Sequence, residues 1–318
     1  MNNPKVSVVI PVYNEEKNIH PLYNSLKAVL EENYRDSYEI IFVDDGSRDS
    51  SSNSLAELQK NDPRMVVISF RKNFGQTAAL SAGFEHARGT AIVTMDADLQ
   101  NDPKDIPVLL EKLNEFDLVS GWRYPRKDPF LRRRLPSLLA NLLISWVTGV
   151  KLHDYGCTLK AFRSEVVKNI RLYGEMHRFI PAIASWMGVS VAEVKVVHHS
   201  RKFGKSKYGL RRTMSVLLDL ISVKFLLTYW RNPIRIFGFA GIISGIAGSI
   251  ILSYMGYIKI FLGLQIGNRP IVLLGILLIL LGIQLFAIGL LGEMLAGIHR
   301  EALQKPSYAI KKITGPDA

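Results

Sequence analysis

Two uncharged apolar runs near the carboxyl end, Ile236 to Ile258 and Ile271 to Gly292, limit what this 318-residue chain can fold into. As helices rising about 1.5 Å per residue, each is long enough to cross roughly 30 Å of hydrocarbon. Runs this long without a charge argue against a hairpin of soluble core helices. Gly263, Gly267, Asn268 and Pro270 mark the turn between them. Arg211, Arg212, Lys224, Arg231 and Arg235 precede the first run, and Arg300, Lys305, Lys311 and Lys312 follow the second. The connecting loop carries only Lys259 and Arg269. The positive-inside rule therefore places both termini in the cytoplasm. Gly238, Gly241, Gly245 and Gly248 fall at helical spacing, and Gly241 and Gly245 form a G-x-x-x-G that allows close helix approach. Glu293 is expected at the interface.

The remainder has the pattern of an α/β domain. Val6 to Val12, Tyr38 to Val43, Met65 to Phe70, Gly89 to Thr94 and Asp117 to Ser120 read as strands. Helical stretches lie between them at Lys17 to Glu32, Ser50 to Gln59 and through Ala87, with Leu22, Leu26 and Leu30 on one face of the first. Alternation of this kind predicts a mostly parallel sheet, with ligands bound outside the carboxyl ends of its strands. Net charge is +12, which suits an anionic partner such as nucleic acid, a membrane surface or a phosphorylated substrate. Cys157 is the single cysteine, which excludes an internal disulfide and fits a reducing compartment. Lys5 to Val12 is too short for a secretory h-region and runs into Pro11 and acidic residues, so the first two-thirds is expected to stay in the cytosol.

Polar clusters follow the strands: Tyr13 to Glu15, Asp44-Asp45, Lys72 to Gln76 and Asp96 to Gln100. On a parallel sheet they share one crevice. The fourth strand ends in Asp96-Ala97-Asp98, two carboxylates one residue apart, with Gln100 adding an amide oxygen. Such hard oxygen donors suit Mg²⁺ or Mn²⁺, which in turn could hold a diphosphate. The first turn, Pro11-Val12-Tyr13-Asn14-Glu15-Glu16, has no glycine and carries negative charge, so it is not a dinucleotide fingerprint. No Walker A sequence occurs. Glu15 and Asp44 or Asp45 can accept hydrogen bonds from ribose hydroxyls and base N–H groups. Asp44-Asp45-Gly46-Ser47 also has the chemistry of a turn and helix cap, and the two roles can coexist.

Taken together, Val9 to Glu15, Val43 to Ser47 and Asp96 to Gln100 resemble an inverting family 2 glycosyltransferase of the GT-A fold. More narrowly, the chain is similar to polyisoprenyl-phosphate glycosyltransferases such as dolichyl-phosphate mannose synthase and the bacterial bactoprenol glucosyltransferases. The resemblance covers residues 5 to about 210 by motif, and the two C-terminal spans match the bacterial branch. It implies a Rossmann-like, mostly parallel sheet domain with interfacial amphipathic helices and two transmembrane helices. It also implies that Pro11, Tyr13, Glu15, Asp44, Asp45, Lys72 and Gln76 hold the nucleotide sugar with Asp96, Ala97 and Asp98, and that Asp96, Asp98 and Gln100 hold the metal diphosphate.

Acceptor binding is expected from basic turns followed by apolar helices, the pattern of interfacial segments. Arg123, Arg126, Lys127 and Arg132 to Arg134 precede Leu135 to Val147; Arg201 to Tyr208 precedes Leu210 to Trp230. Arginine forks bind phosphate bidentately, and Arg123, Arg132, Arg134, Arg201, Ser206 and Lys207 are the candidates. The Arg-x-x-Gly-x-Ser-Lys spacing resembles the family's loop near the donor phosphates. The resemblance makes Asp154 an active-site acid beside Asp98 and Arg123. A phosphate monoester has a second pKa near ~6 and needs little help from a base, so Asp154 can instead orient an arginine or the acceptor. His153 reads as structural, and His198-His199 as a pair without metal-ligand spacing.

The expected organisation is a cytosolic catalytic domain over 1–208, with an interfacial segment at about 132–148. An amphipathic helix follows at 209–232, a membrane hairpin at 233–298 and a basic cytosolic tail at 299–318. UDP-glucose is the expected donor, GDP-mannose the alternative, and undecaprenyl phosphate the acceptor. A processive polysaccharide synthase is disfavoured because its Gln-x-x-Arg-Trp motif is absent. A nucleic-acid partner is disfavoured because the basic residues flank apolar helices, not aromatic platforms. A non-enzymatic nucleotide-sugar sensor would need neither Asp98 nor the acceptor arginines. Oligomeric state is left open, a homo-oligomer being allowed.

Overall fold

The computed structural model describes residues 4–124, 144–145, 148–170, 172, 174, 176–200, 233–265, 269–302 and 308–315. The chain divides into two units, Met1–Val223 with Ser307–Ala318, and Lys224–Pro306. In the first unit the order is β1 (Val6–Val12), α1 (Glu16–Tyr34), β2 (Tyr38–Asp44), α2 (Ser51–Asn61), β3 (Met65–Phe70), α3 (Gln76–His86) and β4 (Ala91–Thr94). Then come α4 (Ile106–Lys112), β5 (Leu118–Arg123), β6 (Lys160–Arg163), α5 (Ser164–Asn169), α6 (Ile180–Trp186) and β7 (Val191–Val196). The second unit holds α7 (Pro233–Phe261) and α8 (Pro270–Ala302), after which the chain returns to the first as β8 (Ile310–Thr314).

One eight-stranded sheet runs β7-β5-β6-β4-β1-β2-β3-β8. Strands β4, β1, β2 and β3 are parallel neighbours. β6 is antiparallel to both β4 and β5, and β7 pairs parallel with β5. This is the GT-A type of mostly parallel mixed sheet. β1 and β2 are buried along nearly their whole length, as expected of central strands covered on both faces. Val8, Ile10, Ile40 and Phe42 form one core with Ile19, Leu22, Leu26 and Leu30 of α1 and Leu55 of α2. The 3–4 spacing of those α1 residues is what makes the helix amphipathic. Helix α3 covers the opposite face so closely that a Cβ on Gly83 would lie 2.1 Å from Val9 Cγ1. The chain thus progresses β1, β2, β3 in one direction, then crosses back to β4 on the other side of β1. That reversal opens a crevice at the carboxyl ends of β1 and β4.

The sequence reading set 299–318 apart as a basic tail, but Ile310–Thr314 is an edge strand, antiparallel to β3. Two lysines in five residues hide it, yet charged side chains are how natural edge strands avoid further pairing. Tyr308 anchors the return: its ring stacks on Phe70 at 5.0 Å and its hydroxyl donates to Glu85. Arg71 N donates to Ala309 O at 3.1 Å.

α7 and α8 are long and apolar enough to cross a membrane. They are not a core hairpin: Phe239, Ile250 and Ile260 are 66%, 63% and 74% exposed, and apolar exposure on this scale needs cover. A Cβ on Gly241 would lie 2.6 Å from Gly282 O, and one on Gly248 2.6 Å from Gly275 O, whereas Gly245 has open space. Gly245 joins the contact through its backbone, since a Cβ on Gly282 would lie 2.7 Å from Gly241 O and 2.9 Å from Gly245 N, so Gly241, Gly245 and Gly248 share the close approach. Ser244 Oγ donates across the interface to Leu278 O at 2.7 Å.

Candidate active site

The exits of β1 and β2 are laced together. Asn14, at φ 55°, receives Arg48 N on its Oδ1 at 2.7 Å and donates its own N–H to Ser47 Oγ at 3.0 Å. Glu15 N donates to Ser51 Oγ at 2.9 Å, and Glu15 Oε2 accepts from Asn18 Nδ2 at 2.5 Å. The two adjacent acids after β2 divide their work. Asp44 accepts from Ser47 N at 2.9 Å and from the Ser52 hydroxyl, the turn-and-cap role. Asp45 points the other way, accepting from Asn73 Nδ2, Phe74 N and Gly75 N at 2.8, 2.6 and 2.9 Å. Burial raises its pKa, the Phe74 and Gly75 amides oppose the rise, and Asp44 adds to it. Asp45 thus fixes the loop ahead of α3. Gly46 (φ 68°) allows this, because a Cβ there would lie 2.5 Å from Lys72 C. Lys72 itself lies over the Phe74 ring, 5.1 Å from its centroid.

Fixing that loop sets Gln76, whose Nε2 donates to Asp96 Oδ1 at 2.7 Å. Asp96 and Asp98 leave β4 together, and Leu99 holds the following turn at φ 61°, a conformation rare outside glycine. Observed strain of this kind clusters at functional loops. Asp98 is 6% exposed and accepts from Gln100 N at 3.1 Å. The Asp96 pKa is pushed up to about 6, first by burial and then by the Asp98 charge; Thr158, Lys160 and Arg123 pull it down. A carboxylate whose ionisation is disfavoured by its neighbour's charge gains from a cation between the two. Among the described residues no group of three or more His, Cys, Asp and Glu converges on a metal position. The donor set therefore fits Mg²⁺ or Mn²⁺ held by two carboxylates and completed by a substrate's phosphates, and not an all-protein cage.

Gln100 and the histidines close this loop on its far side. Gln100 Nε2 donates to His199 O at 3.3 Å and lies 3.4 Å from His198 Nε2, leaving the amide oxygen as its only donor to a cation. His199 N donates to Gln100 O, and its ring meets Asp102 at 3.1 Å. Asn101 pairs with His198 as an isolated bridge. The histidine pair thus braces the carboxylate turn, which spacing alone does not reveal.

On the β5 side, Arg123 is locked to Asp154. Its Nε donates to Oδ2 at 2.6 Å and its Nη2 to Oδ1 at 2.8 Å, with Gly156 N adding a third bond at 3.1 Å. Asp154 is 3% exposed. Glu193 accepts from the backbone of His153 and Asp154 and from the His153 ring, which stacks on Trp122 at 4.1 Å. His153 is thus held between Glu193 and Trp122. Two residues escaped sequence reading. Lys160, 3% exposed on β6, donates to Cys157 O; burial lowers its pKa. His177 Nδ1 lies 2.8 Å from the hydroxyl of Thr77, the neighbour of Gln76. Burial also lifts the Cys157 thiol to about 11, which keeps it inert. Arg126, Lys127, Arg132 to Arg134, Arg201, Ser206 and Lys207 lie outside the described residues.

The model for glycosyl transferase family 2 matches residues 7–171, which takes in nearly all of β1 through β6 and the carboxylates Glu15, Asp44, Asp45, Asp96, Asp98 and Asp154. The chain is a member of that family. Within it, the dodecaprenyl-phosphate galacturonate synthase of Rhizobium johnstonii is 43% identical over 314 residues, 97% of this chain and 93% of that one. The undecaprenyl-phosphate 4-deoxy-4-formamido-L-arabinose transferase of Pseudomonas aeruginosa strain LESB58 is 36% identical over 311 residues, 97% of this chain and 90% of that one. The protein is therefore a glycosyltransferase of the polyprenyl-phosphate group. Glucosyl-3-phosphoglycerate synthase from Mycobacterium tuberculosis, in complex with Mn²⁺, UDP and glucosyl-3-phosphoglycerate, shares the fold at TM-score 0.56 and 18% identity, over 71% of this chain and 80% of that one.

Proposed function

We propose that this transferase moves one sugar from a nucleotide sugar to the phosphate of a polyprenyl phosphate, inverting the anomeric carbon. The observation that carries the reading is the meeting of opposite charges in one crevice. Arg123 and Lys160 stand close enough to Asp96 for their charges to lower its pKa. Carboxylates suited to a diphosphate and a cation suited to a second phosphate thus serve one reaction centre. A lipid phosphate oxygen attacks the anomeric carbon, the bond to the nucleoside diphosphate breaks, and the electron pair leaves with the diphosphate. Asp96 and Asp98 would hold Mg²⁺ or Mn²⁺, which supplies charge stabilisation for that leaving group; an Mn²⁺–UDP complex of the structurally similar synthase supports this assignment. Glu15 and the Asp45-fixed loop serve the nucleoside. Asp154 fixes the fork of Arg123, which positions the acceptor phosphate.

For the donor we place a uridine-linked hexuronate first, because the galacturonate synthase is 43% identical across nearly the whole chain. UDP-glucose, expected from the bactoprenol resemblance, and GDP-mannose are its rivals. The test is a panel of labelled nucleotide sugars with undecaprenyl phosphate and detergent-solubilised enzyme. Preference for UDP-galacturonate by tenfold or more supports the assignment, and preference for UDP-glucose restores the first expectation.

The membrane reading follows from connectivity. The chain leaves its sheet before α7 and re-enters the same sheet as β8 after α8, which supports two crossings with both flanks on the catalytic, cytoplasmic side. A cysteine at Asn268 is expected to react with an impermeant thiol reagent in intact cells, and one at Asn2 only after lysis; native Cys157 is buried and silent. Labelling of Asn2→Cys alone in intact cells would reverse the orientation.

A further inference from the structure

The returning strand β8 builds something the transfer reaction does not use. Between α2 and the β3–β8 edge lies a cavity of about 520 Å³. The register shows which face it is on. Ser69 pairs with Asp44 on one side and with Lys312 on the other, and Val67 pairs with Thr314. Alternation puts all five side chains on the α2 face. Ser52, Ala56 and Lys60, at helical spacing on α2, form the opposite wall. The pairing shifts between Ser69 and Phe70, leaving Lys311 as the extra residue of a bulge. A bulge re-aims a side chain, and here Lys311 and Lys312 both line the cavity.

The charge in this groove is one-sided. Arg48, Lys60, Arg71, Lys72, Lys311 and Lys312 line it, and none forms an ion pair among the described residues. Asp44 is the one acid in the lining, and its oxygens are taken by Ser47 N and the Ser52 hydroxyl. Six unneutralised cations around a concave polar surface focus positive potential. Their number and the hydroxyls of Ser69 and Thr314 suit a ligand with several charged oxygens. The groove is not the carboxylate crevice. Three strand spacings, roughly 14 Å, separate β4 from β3; the groove opens on the α2 face between β2 and β8, and it meets the crevice only at its border, where Asp44, Lys72 and Asn73 belong to its lining.

We propose that this groove is a second anion site, binding a phosphate-bearing ligand with more than one negative charge, either free or as a lipid headgroup. The site goes beyond the transfer reaction, and its cations on α2 and β8, Lys60, Lys311 and Lys312, belong to no part of the donor crevice. The test uses the full chain in neutral detergent with chelator present, titrated calorimetrically with inorganic pyrophosphate and, separately, with short-chain phosphatidic acid. Saturable binding is expected, unaffected by Asp98→Asn and not displaced by UDP. Lys311→Gln/Lys312→Gln should weaken it at least tenfold. Arg48→Gln/Lys60→Gln, on other elements, should do the same and guards against a local effect on β8. Binding of pyrophosphate in preference to the lipid assigns a free phosphate compound, and binding of the lipid in preference to pyrophosphate assigns a headgroup. Wild-type affinity in both double variants, no saturation, or competitive displacement by UDP would each overturn the second site; the last would make the groove an extension of the donor site. Loss of binding in Asp98→Asn would place the ligand in the crevice instead.

Discussion

Asp98→Ala abolishes sugar transfer, on the order of a thousandfold or more, while the protein stays folded. The side chain is 6% exposed, and removing a buried polar group ordinarily destabilises. Here the second carboxylate raises the pKa of the first, so its removal relieves a repulsion. The thermal midpoint in detergent is therefore expected to hold or rise as activity vanishes. Asp96→Ala should cost nearly as much activity, and it also frees Gln76, which donates to Asp96 at 2.7 Å. Chelator should silence the wild type, and Mg²⁺ or Mn²⁺ should restore it. Full activity in chelator would remove the metal from the account.

Asp154 gives the second large effect, through Arg123. The two-point pair at 2.6 and 2.8 Å leaves Asp154 engaged as an anchor. Breaking a buried pair from one side costs about 3–5 kcal/mol, because the partner is left uncompensated. Asp154→Ala should therefore lose both stability and activity. Asp154→Asn keeps size and one hydrogen bond to the guanidinium, so it should retain far more of each. Its defect should fall on the lipid phosphate, as a rise in apparent KM on the order of tenfold, and Arg123→Ala should show the same defect more severely. Both wild type and Asp154→Asn should lose rate below pH ~6, as the acceptor phosphate takes up its second proton. Equal loss in Asn and Ala variants, with the acid limb missing only in Asn, would instead make Asp154 the base.

Much of this was legible in the sequence because its signals are local. Strand tips ending in acids, a glycine-free first turn and long uncharged runs can each be read within a few residues. That reading placed the α/β sheet, the crevice and the two apolar helices. What it missed depends on distant pairing. β8 is five residues with two lysines, and only its partner β3 makes it a strand. The histidine pair gains its bracing role from the Asn101 bridge. Lys160 looks like an ordinary strand lysine until β4 and β5 enclose it. The opposed orientations of Asp44 and Asp45 follow from backbone alternation, and the local partners of Asp44, Ser47 and Ser52, are legible as a cap, but what Asp45 binds is set by a loop 30 residues on in sequence.

The central claim is direct displacement by a lipid phosphate, and the composition of the product lipid tests it most directly. Wild-type enzyme, labelled nucleotide sugar and undecaprenyl phosphate are incubated with Mg²⁺, and the lipid is analysed by mass spectrometry. The account predicts a single sugar per lipid and a single phosphorus, with the anomeric configuration opposite to that of the donor. A product with two phosphorus atoms would mean that sugar phosphate is transferred, and a ladder of sugars would mean a polymerase; either would contradict the mechanism.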